Sequence, residues 1–182
     1  MTRVAAKLTY REYLLLPEDG KRYEIMEGEL YVTPAPSPRH QLILARLLYT
    51  LMKYLEGHPV GTVLAAPCDV VFSETDILQP DLVFLREGGN AFVTERAIQG
   101  PPALVVEILS PGTAARDREL KRKRYEHFGV SEYWMLDLDL STVEILRLES
   151  GQYHRHSLTA RPGMLTSPLF PDLALPLDWL FR

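Results

Sequence analysis

"ILQPDLVFL" (residues 77–85) and "ALVVEILSP" (residues 103–111) each set one acid, Asp81 and Glu107, beside or inside a run of valine, leucine and isoleucine. Short apolar runs bounded by Pro, Ser and Gly read as strands, and their near-continuous apolar character marks central strands covered on both faces. Asp81 follows Pro80, whose missing N–H suits a strand entrance and not a central ladder position. Glu107 lies in "LVVEIL", which has no polar alternation to define a wet face. Burying an ionised carboxylate is costly unless it is paired or binds a cation. Either each acid has its own partner, or the two share a metal. Strands that neighbour one another in a sheet would let the acids converge. The plainer alternatives are a loop or Asx-turn role for Asp81 and an exposed edge position for Glu107.

Outward from these strands the chain alternates helix and strand signals. Thr9 and Glu12 in "TYREYLLL" have capping-box spacing, which predicts a short N-terminal helix stopped by "PEDG". "RYEIMEGELYV" predicts a β-hairpin turning near Glu27 and Gly28, with Tyr23, Ile25, Leu30 and Val32 as its alternating apolar positions. From Ser37 a helix of about five turns is expected, with Leu44, Leu47, Leu48, Leu51 and Leu55 as its apolar stripe and Gly57 as its stop. "GTVLAAP" and "CDVVFS" read as strands that pair as neighbours. A second helix is expected from Ala114 to Phe128, ending at Gly129. "EYWMLDLD", "VEILRL" and "GQYHRHSL" read as further strands, and "FPDLALPLDWLF" as an irregular apolar segment with a final helical turn. The order predicts an α/β fold, a mixed β-sheet flanked by helices on both faces.

The sequence has 182 residues, 46% hydrophobic and 24% charged, which fits one globular domain over residues 1–182. No apolar stretch is long enough to span a membrane, and "MTRVAAKLTYREY" lacks the apolar core of a secretory signal, so a cytoplasmic location is expected. One cysteine, Cys68, excludes an intrachain disulfide framework and a cysteine-based zinc cluster, and reads as a packed strand residue. His58, His127, His154 and His156 have no zinc-ligand spacing with acid or thiol partners. A net charge of −4 argues against tight, general binding to nucleic acid. The basic stretch "RDRELKRKR" (residues 116–124) holds six of the 20 Lys and Arg residues. It reads as a solvated helix face or as a local contact for phosphates, with Arg116, Arg118, Arg122 and Arg124 as the candidate groups. Tyr133 and Trp134 read as core aromatics rather than base-stacking platforms.

Within that basic helix Asp117, Lys121 and Tyr125 are spaced i, i+4, i+8 and share one face. Taken alone, Asp117 and Lys121 make an ordinary helix-surface ion pair. Turned toward the sheet, that face would bring the Lys121 ammonium to the two acids. The set of blocks resembles the PD-(D/E)XK restriction-endonuclease-like superfamily, in which Pro80–Asp81 and the distant Glu107 match the signature. More narrowly, "YEIMEGEL", "SPRHQLILARL", "QPDLVFL", "LVVEILSP", "DRELKRKRY" and "GVSEYWMLDLD", in that order, are similar to the Uma-two family of endonucleases. The likeness runs from Leu8 to Phe181. One departure is Leu109, which stands where the superfamily has its lysine. In the Uma-two pattern the lysine sits on the helix, in the D-x3-K-x3-Y block that Asp117, Lys121 and Tyr125 match.

The resemblance implies a restriction-endonuclease-like core with an N-terminal helix and hairpin. It implies metal ligands at Asp81, Glu107 and the Ile108 carbonyl, with Lys121 beside the attacking water and Glu24 as a further acid of the site. Substrate contacts would come from His40, Arg116, Arg118 and Tyr125. His40 otherwise reads as a locally bonded helix-start histidine. The chemistry agrees, because phosphodiester hydrolysis needs charge stabilisation at phosphorus and an activated water, which oxygen-bound Mg²⁺, or Mn²⁺, supplies. The function expected is metal-dependent DNA endonuclease activity with weak or partner-assisted DNA binding and no membrane partner. A homodimer is implied by the family likeness. The rivals are a catalytically silent nucleic-acid-binding or assembly module of the same fold, and a hydrolase of smaller phosphate esters.

Overall fold

The computed structural model describes residues 7–182, so the first six residues of "MTRVAAKLTYREY" lie outside the described residues. Helix α1 (Tyr10–Tyr13) opens on the Thr9–Glu12 capping box, and the hairpin β1 (Arg22–Met26) and β2 (Glu29–Thr33) follows. Its two-residue turn has φ of 53° at Glu27 and 82° at Gly28, the sign that a tight primed turn demands at both positions. A Cβ on Gly28 would stand 2.5 Å from Cβ of Lys7, so glycine is required there twice over. Ile25 is buried, but Leu30 and Val32 are exposed, because β2 is an edge strand with no sheet packed over its outer face.

Helix α2 (Pro38–Gly57) is capped by Ser37, whose side chain accepts from the His40 N–H, with Pro38 at the first helical position. Next come β3 (Gly61–Ala65), β4 (Val70–Ser73), β5 (Asp76–Leu78), β6 (Leu82–Arg86), β7 (Phe92–Val93), β8 (Ile98–Gln99) and β9 (Leu104–Leu109). The expected second helix is continuous from Ala114 to Phe128 but in three parts: α3 (Ala114–Arg116), a π-helical turn (Asp117–Lys121) and α4 (Arg122–Phe128). It ends at Gly129 with φ of 83°, the left-handed cap that favours glycine. The chain closes with β10 (Glu132–Asp137), β11 (Thr142–Glu149), β12 (Gln152–Ala160), β13 (Met164–Ser167), β14 (Phe170–Pro176) and α5 (Leu177–Leu180).

These strands form two mixed six-stranded sheets, in the orders β2-β1-β5-β4-β8-β7 and β12-β11-β10-β9-β6-β3, plus the pair β13-β14. The expected pairing of "GTVLAAP" with "CDVVFS" is therefore corrected: β3 pairs with β6 in one sheet, and β4 with β5 and β8 in the other. The segment expected to be irregular is instead strand β14, paired with β13, in which Leu173 and Leu175 alternate inward while Pro171 and Pro176 stay exposed, and it closes on the expected helical turn as α5. Cys68 is half-buried in the connection before β4 rather than within a strand.

The second sheet organises the core. On one face Leu82, Val106, Ile108 and Trp134 pack on Leu44, Leu47 and Leu51 of α2 and on Phe170 of the closing hairpin. On the other, Val83, Val105, Leu109 and Tyr133 meet Tyr125 of α4 and Met26, Val70 and Leu78 of the first sheet. Tyr133 and Trp134 are fully buried, as core aromatics should be. No helix among the described residues is long and apolar enough to cross a membrane.

Candidate active site

Strands β6 and β9 run antiparallel with Leu82 opposite Val106. One step further along the pair, Asp81 stands opposite Glu107, and residues directly opposite project from the same face. That face is the one shared with Val83 and Val105, toward the α3–α4 helical segment. Here β9 outruns β6, so on that side the Ile108 N–H has no strand partner and donates to Asp81 Oδ2 at 2.8 Å. In an extended strand the carbonyl of a residue leaves on the same side as its N–H, which turns the Ile108 carbonyl toward Asp81 as well.

The helical segment completes the cluster. Asp117, Lys121 and Tyr125 are all buried against the sheet, and the first two belong to the π turn, a widened geometry found most often at functional sites. Lys121 Nζ lies 2.8 Å from Glu24 Oε1, 2.9 Å from Glu107 Oε1 and 3.7 Å from Asp117 Oδ1. The Tyr125 hydroxyl donates to Glu107 Oε1 at 2.6 Å. Glu24 also accepts from the Gln79 N–H at 2.9 Å and from Thr33 Oγ1 at 3.3 Å. The pair expected on a helix surface is thus an interior one.

Around Asp81 two more groups gather. His40 Nε2 is 3.0 Å from Asp81 Oδ2, and because an ionised carboxylate only accepts, this nitrogen carries the hydrogen. Arg22 Nη1 lies 3.2 Å from Asp81 Oδ1. A cleft of about 300 Å³ opens onto the cluster, with Arg22, His40, Asp81, Glu107, Arg116 and Lys121 among its lining residues.

Four buried acids, Glu24, Asp81, Glu107 and Asp117, face three permanent cations, Lys121, Arg22 and Arg116. Burial, opposed by Lys121 but reinforced by Asp117, Asp81 and Glu24, pushes the Glu107 carboxyl up to about 8. Burial likewise raises Asp117. Asp81 is held below the usual carboxylate range: burial works against it, but the His40 and Ile108 hydrogen bonds and the Arg22 charge prevail. Glu24 is held low in the same way, with Lys121 overcoming burial. Against its own burial, Lys121 is kept firmly protonated by Glu107, Glu24 and Asp117.

The donor set fits a hard divalent cation by its chemistry: carboxylate oxygens on Asp81 and Glu107 beside a main-chain carbonyl. Among the described residues no hydrogen bond reaches Glu107 Oε2, and Asp117 Oδ1 is buried with no hydrogen-bond partner. Three or more metal-binding side chains are not gathered around one point among the described residues. The carboxylates close instead on the cations the chain itself provides.

The Uma2 family, described as "Putative restriction endonuclease", matches residues 10–178 of this sequence. The chain belongs to the Uma2 family. An uncharacterized protein of Synechocystis sp. is 28% identical over 159 residues, covering 82% of this chain and 75% of that protein. The crystal structure of a putative nuclease belonging to DUF820 from Anabaena variabilis matches with a TM-score of 0.79 at 21% identity, over 96% of this chain and 97% of that one. At that identity the match speaks for the fold, which is restriction-endonuclease-like.

In this Uma2 chain the residues singled out from sequence divide into two groups. Glu24, His40, Asp81, Glu107, Lys121 and Tyr125 come together with the Ile108 backbone. Arg116 joins them at the rim, donating to Thr33 Oγ1 at 2.9 Å and lying 3.9 Å from Glu24 Oε2. Arg118 does not: it turns away to Asp137 at 2.8 Å and Glu144 at 3.5 Å. Arg124 is held by Asp76 and Glu27, and Arg122 and Lys123 are exposed, so the basic stretch does not act as one surface. Arg22 was missed by sequence reasoning. The available signal was strand periodicity, since a residue two before Glu24 in β1 shares its face.

Proposed function

We propose that this Uma2 protein is a metal-dependent endonuclease that hydrolyses phosphodiester bonds in DNA, acting in the cytoplasm as a homodimer. The observation that carries this reading is the placement of Lys121 Nζ 2.9 Å from Glu107, while Glu107 faces Asp81 across two central strands. Asp81, Glu107 and the Ile108 carbonyl would hold Mg²⁺ or Mn²⁺. Bound there, the cation supplies charge stabilisation at phosphorus and lowers the pKa of the attacking water.

The chain's own groups do the rest. His40 and the Ile108 N–H fix the orientation of Asp81. Tyr125 and Lys121 both bond Glu107 Oε1, which leaves Oε2 as the oxygen to present to a ligand. Glu24 anchors the Lys121 ammonium at the floor of the cleft, where it orients the nucleophile and offsets negative charge built up on the phosphate. Arg116 and Arg22 line the cleft and are placed to meet phosphate oxygens, a local electrostatic contact sensitive to salt. With a net charge of −4, DNA affinity is weak or assisted by a partner.

One observation favours the silent module instead: each acid already has a cation or a hydrogen-bond donor from the chain, as a structural salt-bridge cluster would. Plasmid nicking separates the two. Wild type should nick with Mg²⁺ or Mn²⁺ and stop with a chelator, and Asp81→Asn, Glu107→Gln and Lys121→Ala should each abolish nicking. Cleavage that survives all three substitutions removes the site assignment, and DNA binding without cleavage under either metal favours the module.

A further inference from the structure

A second cavity, of about 370 Å³, lies at the opposite end of the second sheet from the cleft and shares no lining residue with it. Ala103, Ser131 and Glu132 line it where β9 and β10 begin. These strands run parallel, with Glu132 beside Leu104 and Met135 beside Glu107. Three residues of strand, about 10 Å at about 3.3 Å each, therefore separate Glu132 from the level of the Asp81–Glu107 pair.

Glu132 is only 2% exposed, in a strand that otherwise buries apolar and aromatic side chains. Its Oε2 accepts from Trp134 Nε1 at 2.9 Å and from Ser167 Oγ at 2.7 Å. Among the described residues no hydrogen bond reaches Oε1, and the nearest cation, Arg147 Nε, stands 3.6 Å from it. Arg147 is itself shared, with Nη1 at 3.8 Å from the exposed Glu149. A buried carboxylate with an unbonded oxygen is costly. Receiving Trp134 and Ser167 alone would need no charge, since the oxygen of a glutamine accepts the same two bonds. Arg147 on β11 and Arg86 at the end of β6 line the cavity from either side of Glu132, in the sheet order β11-β10-β9-β6. Arg86 is exposed and makes no ion pair or side-chain hydrogen bond among the described residues.

We propose that this cavity binds a nucleoside monophosphate, with an N–H of the base donating to Glu132 Oε1 and the phosphate meeting Arg86. The two demands select the ligand together. An inorganic anion would leave Glu132 unbonded beside a like charge, and a simple amine would leave Arg86 unused. Strands β6 and β10 are two steps apart in the sheet, about 10 Å at about 4.8 Å per step, so donor and anion belong at the two ends of one extended molecule. The volume is on the order of ten water molecules and falls within the range of small-molecule sites, about 300–1,000 Å³. Exocyclic amines of cytosine and adenine are donors that a carboxylate accepts. Pro102 and Leu169 give a base face apolar surface, and Ser131 and Asn90 offer polar groups to sugar hydroxyls. The site lies apart from the cleft, so the inference does not depend on the nuclease reading.

The test is calorimetric titration of the full chain in chelator. Cytidine and adenosine monophosphates should bind saturably with Kd at or below about 1 mM. Ribose phosphate, which lacks the donor, and cytidine, which lacks the anion, should each bind about tenfold more weakly, the worth of one hydrogen bond to a charged group. Arg86→Ala, at an exposed side chain, should weaken the nucleotides by a similar factor and leave cytidine unchanged. Glu132→Gln should erase the advantage of nucleotide over ribose phosphate, and Arg116→Ala, in the cleft, should change nothing. A short oligonucleotide with a terminal phosphate distinguishes the two sources of this chemistry: affinity equal to that of the nucleotide marks a strand end, and weaker affinity a free nucleotide. Failure of both nucleotides to bind, ribose phosphate binding as tightly as they do, or affinity lost in Arg116→Ala and kept in Arg86→Ala overturns the proposal.

Discussion

Replacing Lys121 with methionine keeps the length and apolar stem of the side chain and removes its charge. Lys121 Nζ is the nearest cation to Glu24 and Glu107, at 2.8 Å and 2.9 Å, and all three groups are buried. Breaking a buried ion pair from one side costs about 3–5 kcal/mol, because the other charge is stranded. The lower end applies here. Burial pushes the Glu107 carboxyl up, so without Lys121 it is the more readily neutralised of the two acids and the stranded charge is mainly Glu24. A loss of about 3 kcal/mol in a domain of this size lowers Tm by about 6–12 °C. The pH dependence follows from Glu24. In the wild type its carboxyl is held below its ordinary 4.5, so its stabilising contribution is full above that value and is lost as pH falls through the lower folded value. In the variant the Gln79 N–H and Arg116 still oppose burial but Lys121 does not, so Glu24 takes up a proton more readily and the deficit narrows in acid. Thermal unfolding followed by circular dichroism in chelator, at pH 7.5 and again near pH 4, measures both effects. A drop under about 2 °C at pH 7.5, or an equal drop at both pH values, would refute the buried cluster.

Two further outcomes follow from the same charges. Glu107→Gln should abolish cleavage yet raise the Tm of the metal-free protein, increasingly as pH climbs from 4.5 toward 8. A carboxyl whose folded pKa is raised stabilises fully below the unfolded value and loses that contribution through the folded one, at about 1.4 kcal/mol per unit; a flat difference across that range contradicts it. Arg22→Gln removes a cation 3.2 Å from Asp81, so calorimetry should show Mn²⁺ binding several-fold tighter while nicking slows, and weaker Mn²⁺ binding would show that Arg22 supports the ligand rather than competing with the metal.

Much of the frame was legible because local physics marks it. The capping box at Thr9, the Ser37 cap with Pro38, the left-handed cap at Gly129 and the hairpin turn at Glu27–Gly28 all depend on near neighbours in sequence. The apolar runs of β6 and β9 identified central strands, and the acid beside one run and inside the other pointed to the buried cluster at their shared end. What escaped depends on tertiary choice. Nothing local says that β3 turns to β6 and β4 to a second sheet, since both are short, apolar and adjacent in sequence. The β13–β14 hairpin was hidden by Pro171 and Pro176, which a two-stranded pair tolerates on its open edges. The π turn leaves no compositional trace. Arg118 was drawn into the site because helix position alone does not reveal that Asp137 and Glu144 wait on its own side.

The most direct measurement is anomalous diffraction from crystals soaked in Mn²⁺. The expected result is a single peak bounded by the Asp81 and Glu107 carboxylates and the Ile108 carbonyl, at distances near the 2.0–2.1 Å or so typical of Mg²⁺–oxygen bonds. At saturating Mn²⁺, an empty position between those two acids, or a peak elsewhere in the cleft, contradicts a cation-binding role for the pair.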